Sequence, residues 1–117
     1  DIATSLLNDE HRRFMVITPN KGSIPNLRSD AVVEVPAYIG VTGVEPIALD
    51  PINDFHKGLM EAQVAAEKLL VDAFFEESYL KALQAFTLNQ SVNSAYVAKQ
   101  VLDEMIEANK GYWPDLK

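Results

Sequence analysis

The order of the sequence patterns predicts an α+β domain, a small antiparallel sheet of three or four short strands covered by three C-terminal helices. Short apolar runs bounded by Pro and Gly occupy the first 50 residues, which is typical of strands. From Asp54 onward the apolar residues recur every three or four positions, as on one face of an α-helix. The connections are too short for parallel crossovers, so the strands are expected to be antiparallel. At 117 residues, the chain is predicted to form a single domain, 1–117.

The first half of the chain predicts one helix end followed by strands. Ile2, Leu6 and Leu7 recur near helical spacing, which indicates the last turns of a helix that begins upstream. A continuous apolar run at 14–18 predicts a buried strand ended by Pro19. Further strands are predicted at 31–35, where Pro36 bounds the run, at 38–41 and, more weakly, at 46–49.

Three helices are predicted in the second half. The first spans 54–76 with Asp54 as its N-cap, and the second runs from Ser78, also an N-cap, through residue 86. The third begins near Ser91 or Ser94 and ends at 109–111. Its predicted apolar stripe consists of Val97, Val101, Leu102, Met105 and Ile106, and the chain end is expected to pack through Tyr112 and Trp113.

Composition argues against several classes of function. The formal charge of −7 and the scattered Lys and Arg residues argue against nucleic-acid binding. No apolar run approaches the ~18 residues of a membrane-spanning helix. There is no Cys, and neither His11 nor His56 has a second ligand at metal-binding spacing, so no metal site is expected within the chain. No G-x-G-x-x-G turn is present to bind a dinucleotide.

The most distinctive segment is the polar turn at 20–27, which leads into the strand at 31–35. It gathers two amides, an ammonium, a hydroxyl and backbone N–H groups, which together could hold a sugar or an anion. The residues concerned are Asn20, Lys21, Gly22, Ser23 and Asn26. The alternative is a solvated turn built from ordinary turn residues. Glu34, between Val33 and Val35, is predicted to face solvent or to form a salt bridge. Glu61 and Glu67 are expected on the polar face of a helix, with no catalytic role.

The order of these residues resembles the C-terminal part of glycoside hydrolase family 4. The motifs are Asn-Lys-Gly-Ser-Ile-Pro-Asn-Leu at 20–27, Ala-Val-Val-Glu-Val-Pro at 31–36 and Asp-Glu-Met-Ile-Glu-Ala-Asn-Lys-Gly-Tyr-Trp-Pro at 103–114. Shorter matching segments lie at 14–17, 57–63, 67–69 and 83–88. The resemblance covers nearly the whole chain and is strongest to the 6-phospho-α-glucosidase branch.

The resemblance implies a cytoplasmic enzyme, dependent on NAD and Mn²⁺, that hydrolyses disaccharide phosphates such as maltose 6'-phosphate. In this family NAD⁺ oxidises the sugar at C3, a tyrosine removes the C2 proton, and the glycosidic oxygen is eliminated; it is an exception to the two-carboxylate scheme. The implied fold is the C-terminal domain of a lactate/malate dehydrogenase-like glycosidase. In the family, the NAD-binding turn belongs to an N-terminal Rossmann domain and the metal ligands are a Cys and a His. Since this sequence has no G-x-G-x-x-G turn and no Cys, we expect it to lack that domain and those ligands. On its own it is then expected to be inactive and to bind neither NAD nor metal.

No catalytic residue can be assigned within these residues from the resemblance. Asn20, Gly22 and Asn26 match the family pattern Asn-x-Gly-x-Ile-x-Asn-Leu and are implied to lie on the substrate side. Arg12 or Arg13 is implied to help hold the substrate phosphate, because a guanidinium forks onto phosphate oxygens.

Two other functions remain open. One is a 6-phospho-β-glucosidase of the same family. The other is a free-standing, non-enzymatic helical module that self-associates through apolar helix faces. A homo-oligomer is expected whichever of these functions the protein has. A Tyr, then a Cys and a His, upstream of Asp1 would favour the enzyme, whereas a start codon there would favour the module.

Overall fold

The computed structural model describes all residues, 1–117, and contains four helices and one antiparallel sheet of order β1-β2-β3. This confirms the predicted α+β class. The elements, in chain order, are α1 (Ile2–Asn8), β1 (Arg12–Pro19), β2 (Val32–Gly40), β3 (Gly43–Pro46), α2 (Asp54–Glu76), α3 (Tyr79–Leu88) and α4 (Ala95–Ala108). Two compact units can be distinguished, Asp1–Lys57 and Gly58–Lys117, and each is described by itself.

The central strand is longer than the sequence predicts. The predicted strands at 31–35 and 38–41 form one nine-residue strand, β2, so the boundary at Pro36 was wrong. The alternation of buried and exposed side chains continues through the proline, and the Pro36 carbonyl accepts a hydrogen bond from Ile47 N (2.9 Å). The predicted strand at 46–49 was also misplaced. The third strand is Gly43–Pro46, which follows the tight turn that Gly43 makes possible at φ 103°.

The first strand is an edge strand, so its prediction as a buried strand was wrong. Met15 and Ile17 are 58% and 77% exposed, whereas Phe14 and Val16 on the other face are half-buried. A continuous apolar run has the same composition on either kind of strand, and only the partners of the strand decide which faces are covered. On β2, Glu34 lies on the exposed face, as predicted.

The buried apolar side chains of the first unit lie on β2 and in the segment before it, at Ile24, Leu27 and Ala31. On β2, Val33, Val35, Ala37 and Ile39 are each at most 4% exposed. Ser5 of α1 is completely buried; its hydroxyl donates to Ile39 O (2.5 Å) and accepts from Arg12 N (3.2 Å). A single hydroxyl therefore ties α1 to both β1 and β2. The helix itself begins at Ile2, where the Asp1 carboxylate caps Thr4 N.

The predicted helices of the second half are confirmed, with two changes at their starts. Asn53, rather than Asp54, accepts the first-turn bond, from His56 N (3.0 Å) to its side chain. Ser78 caps α3, and Ser94, not Ser91, caps α4.

Leu102 of α4 is the largest member of the core of the second unit, where it packs with Ala73 and Ala82. Trp113 packs against this cluster as predicted, whereas Tyr112 is 88% exposed and does not.

Candidate functional site: the loop between β1 and β2

The polar turn belongs to a closed loop, residues 20–31, that joins β1 to β2. Its ends are held together by bonds from Asn20 N to Ala31 O (2.8 Å) and from Lys21 N to Ser29 O (3.0 Å). A loop of this length whose ends meet and whose own side chains pack it is an Ω-loop, a type that is frequently functional. Ile24 and Leu27 supply the packing, at 4% and 6% exposure.

Asn20 is fully buried at the centre of this loop. Its Nδ2 donates to the carbonyls of Ile24 (3.0 Å), Leu27 (3.0 Å) and Arg28 (3.1 Å), and its Oδ1 accepts from Ile24 N (2.7 Å). The amide has two N–H donors, so these contacts use all of its donating capacity. Asn20 therefore holds the loop closed and has no donor left for a ligand.

The tip of the loop is a β-turn in which Asn20 O accepts from Ser23 N (2.8 Å). The two central residues, Lys21 and Gly22, both have positive φ, 43° and 94°, as in a type I′ turn. A Cβ on Gly22 would meet nothing within 4 Å, so backbone conformation rather than space calls for glycine there. Lys21 and Gly22 are both exposed, and they are the parts of the turn that a ligand can reach.

The second amide of the motif anchors the loop to the chain ahead of α2. Asn26 donates from Nδ2 to Ile52 O (2.7 Å) and accepts at Oδ1 from Ile52 N (3.0 Å), as a paired strand residue would. Leu49 N donates to Ser23 O (2.7 Å) beside it. Asn26 is half-buried, so its side chain also acts mainly within the loop.

Arg12 and Arg13 lie at the opposite end of β1 from the turn. Arg12 pairs with Glu10 (Nη1 to Oε2, 3.6 Å) and its guanidinium lies 5.9 Å from the centroid of the Phe14 ring. Arg13 is exposed and lines a shallow hollow with Phe14, Met15 and Pro36. From Arg13 to Asn20 the strand advances about 23 Å, at ~3.3 Å per residue. The structure therefore does not bring the arginines and the turn together.

The connection from α1 to β1 contains a polar contact that the sequence patterns did not reveal. Asp9 Oδ1 accepts from Val41 N (2.9 Å) and lies 3.0 Å from His11 Nε2. Gly40 lies beneath them, since a Cβ there would come within 2.6 Å of Asp9 Oδ1. Both Asp9 and His11 have positive φ. Asp9 and Val41 lie 32 residues apart in sequence, so no local pattern could have indicated their contact.

The ionisable groups with shifted pKa lie in the second unit. Tyr79 at the start of α3 donates to Asp103 Oδ1 of α4 (2.7 Å), and Lys99 Nζ lies 2.5 Å from Asp103 Oδ2. Hydrogen bonds from Lys99 and then Tyr79 lower the pKa of Asp103, and the bond to Asp103 raises the pKa of Tyr79. This cluster links two helices through hydrogen bonds among its own members, so it is interpreted as a structural clamp.

The residues of this chain do not fit the metal ion that the resemblance implies. No group of three or more His, Asp or Glu side chains is arranged to hold a metal ion, and there is no Cys. His56 Nδ1 is already engaged with Asn53 Oδ1 at 2.9 Å.

None of the four helices is both long and apolar enough to cross a membrane.

Comparison with known proteins identifies the family to which this α+β fold and its motif-bearing loop belong. The profile described as "Family 4 glycosyl hydrolase C-terminal domain" matches residues 1–92. The chain therefore belongs to glycosyl hydrolase family 4, which confirms the resemblance seen in its motifs.

Similar proteins act on phosphorylated glucosides. The maltose-6'-phosphate glucosidase MalH of Clostridium acetobutylicum is 51% identical over 99% of this chain. The chain spans about a quarter (26%) of the length of that relative. A probable 6-phospho-β-glucosidase of Bacillus subtilis is more distant, at 38% identity over 97% of the chain.

Solved structures share the fold. A 6-phospho-α-glucosidase from gut microorganisms, in complex with NAD and glucose-6-phosphate, superposes with a TM-score of 0.89 at 55% identity, covering 99% of this chain and 26% of its own. A second 6-phospho-α-glucosidase from gut microorganisms, in complex with NAD and Mn²⁺, gives a TM-score of 0.90 at 47% identity, covering 99% and 27%.

Proposed function

We propose that these residues form the C-terminal domain, 1–117, of an NAD- and Mn²⁺-dependent 6-phospho-α-glucosidase that hydrolyses disaccharide phosphates such as maltose 6'-phosphate. The observation that carries the proposal is the gradient of identity, 51% to the maltose-6'-phosphate enzyme against 38% to the probable β-specific one. Mn²⁺ would be held by parts of the enzyme outside this chain, because no group of ligands here fits a metal ion. NAD would be held there too, because this sequence has no G-x-G-x-x-G turn. The domain by itself is expected to be inactive.

We also propose that the loop 20–31 forms one wall of the sugar site. The exposed backbone of Gly22 can approach a sugar closely, while Asn20 and Asn26 shape the loop from within. A loop held this firmly can present its tip to a ligand without an ordering cost at the moment of binding.

We expect the enzyme to act in the cytoplasm and to form a homo-oligomer. Disaccharide phosphates arise from phosphotransferase uptake, so the enzyme would act in the cytoplasm. A homo-oligomer is supported by the exposed apolar side chains on α2, among which Val71, Phe74 and Phe75 are 55% to 78% exposed.

The test is an assay of the full-length protein with the p-nitrophenyl α- and β-glucoside 6-phosphates. We expect cleavage of the α-anomer that requires both NAD⁺ and Mn²⁺ and stops with EDTA. Preference for the β-anomer would favour the β-specific alternative, and activity without NAD⁺ would contradict the proposal. If neither anomer is cleaved and the chain only self-associates, the non-enzymatic module gains support. Calorimetric titration of the 117-residue chain with NAD⁺ or Mn²⁺ is expected to give no binding heat.

A further inference from the structure

We propose that Lys21, at the tip of the loop, contacts the phosphate group of the sugar substrate, and that neither Arg12 nor Arg13 does so in the same site. The proposal rests on the proposed function, since it takes the loop as a wall of the sugar site. It adds a binding residue that the family motif does not contain, because Lys21 occupies a variable position of the Asn-x-Gly pattern.

The backbone of Lys21 adopts an uncommon conformation. Its φ of 43° lies in the left-handed region, which non-glycine residues rarely occupy. The surrounding bonds impose this conformation: Lys21 N donates to Ser29 O (3.0 Å), and Asn20 O accepts from Ser23 N (2.8 Å). Backbone strain that the surroundings enforce is concentrated at ligand-binding positions. This left-handed conformation distinguishes Lys21 from the other non-glycine residues of the loop 20–31.

The charge of Lys21 is not used within the protein. Its side chain is exposed, and no carboxylate lies within ion-pair distance of it. Within the loop, the other cation, Arg28, is occupied, since it pairs with Asp30. In a chain of net charge −7, an unpaired ammonium next to the exposed backbone of Gly22 is a local site for an anion.

The length of β1 separates the two candidate phosphate sites. Arg13 and Asn20 lie about 23 Å apart along the strand at ~3.3 Å per residue. A hexose phosphate is much shorter than this, so its phosphate cannot lie beside Arg13 while its ring lies against Gly22. If the loop contacts the sugar, Lys21 is, among Arg12, Arg13 and Lys21, the cation within reach of the phosphate.

The test uses the full-length enzyme and steady-state kinetics with p-nitrophenyl α-glucoside 6-phosphate. Lys21→Met is expected to raise KM about tenfold or more, the usual worth of a charge-assisted hydrogen bond, with kcat within about twofold of wild type. The inhibition constant of glucose 6-phosphate should rise by the same factor. Lys21→Arg should restore most of the affinity. Lys110→Met, which removes an exposed lysine charge on the second unit, is the control and should change neither constant.

The results separate this inference from the proposed function. If the wild-type enzyme cleaves the substrate and Lys21→Met has the same KM, the inference about Lys21 is contradicted, whereas the proposed function is not. The same holds if Arg13→Gln raises KM and Lys21→Met does not. A wild-type enzyme that cleaves neither anomer overturns both proposals. Because Lys21 is exposed, an unchanged melting temperature of Lys21→Met will show that a KM effect does not come from unfolding.

Discussion

At the residue scale, one buried amide organises the whole loop between β1 and β2. Asn20 is completely buried and makes four hydrogen bonds, to groups from Ile24 to Arg28. Only an asparagine offers both donors and an acceptor in this small volume, because Asp has no N–H group and Leu has neither donor nor acceptor. In this chain, Asn20 of the motif therefore serves the shape of the loop, whatever ligand the tip contacts.

Replacement of Asn20 should destabilise the protein severely. In Asn20→Ala, three carbonyls and one N–H lose their partner in a buried site, and we expect a loss of about 3 kcal/mol of unfolding free energy. Urea denaturation followed by circular dichroism measures it. Asn93→Ala, an exposed residue, is the control and should lie within about 0.5 kcal/mol of wild type. A loss below 1 kcal/mol in Asn20→Ala would mean that water replaces the amide.

The motif itself could be recognised from sequence, but the roles of its residues could not. The pattern Asn-x-Gly-x-Ile-x-Asn-Leu indicated a polar turn with a ligand-binding function, and the turn is present. Which amides point inward depends on where the Ile24, Leu27 and Ile52 backbones lie after folding. A polar residue that binds a sugar and one that binds its own backbone have the same signature in a linear chain.

At the element scale, the clamp of Tyr79, Lys99 and Asp103 connects α3 to α4. Because the pKa of Asp103 is lowered below 3.8, its contribution is present at neutral pH and is lost as the pH falls through the folded-state pKa. Because the pKa of Tyr79 is raised above 10.0, its contribution is present below that pH and is lost as the pH rises through the folded-state value. The clamp therefore stabilises the helix pair between these two limits.

Tyrosinate absorbance gives a direct test of the clamp. In wild type we expect Tyr79, identified by its loss in Tyr79→Phe, to ionise at higher pH than an unperturbed tyrosine. In Asp103→Ala, the largest cause of the raised pKa is removed, so Tyr79 should ionise at lower pH than in wild type. An unchanged titration in this variant would show that the hydrogen bond does not persist in solution. Tyr96→Phe controls for the loss of any one exposed tyrosine.

The elements themselves were predictable to different degrees. All three long helices were predicted within a few residues of their bounds, because amphipathic periodicity and Ser caps are local signals. The strands were less accurate: Pro36 was taken as a boundary, and β1 was taken as buried. Strand burial depends on which partners pair across the sheet, and this information is not contained in any single segment.

At the scale of the whole molecule, the second unit has a small core in which one large side chain predominates. Leu102 is fully buried against Ala73 and Ala82, and Trp113 and Leu116 close over this cluster. The chain end is held there by bonds from Tyr79 N to Lys117 O (2.9 Å) and from Lys117 N to Glu77 O (2.7 Å). Leu102 is completely buried, so truncating it removes only buried apolar atoms and leaves a cavity among its neighbours.

Leu102→Ala should therefore be costly, by about 3 kcal/mol, through lost burial and the cavity left behind. Trp113 is the only tryptophan and contacts the same cluster, so its fluorescence reports the transition. Leu102→Met, which conserves volume, should cost less than about 1.5 kcal/mol. Equal losses in the two variants would contradict a packing origin.

The sequence by itself determined the class of fold, the three long helices and the family, because periodicity, caps and motif order are written in local stretches of the chain. The tertiary structure alone decided that Asn20 faces inward, that Lys21 is left unpaired at the loop tip, and that β1 separates the arginines from the turn. The physical reason is that burial and hydrogen-bond pairing are relations between distant residues. The sequence pattern indicates which groups are able to form hydrogen bonds or ion pairs. The folded structure determines which of those groups lie close enough to do so.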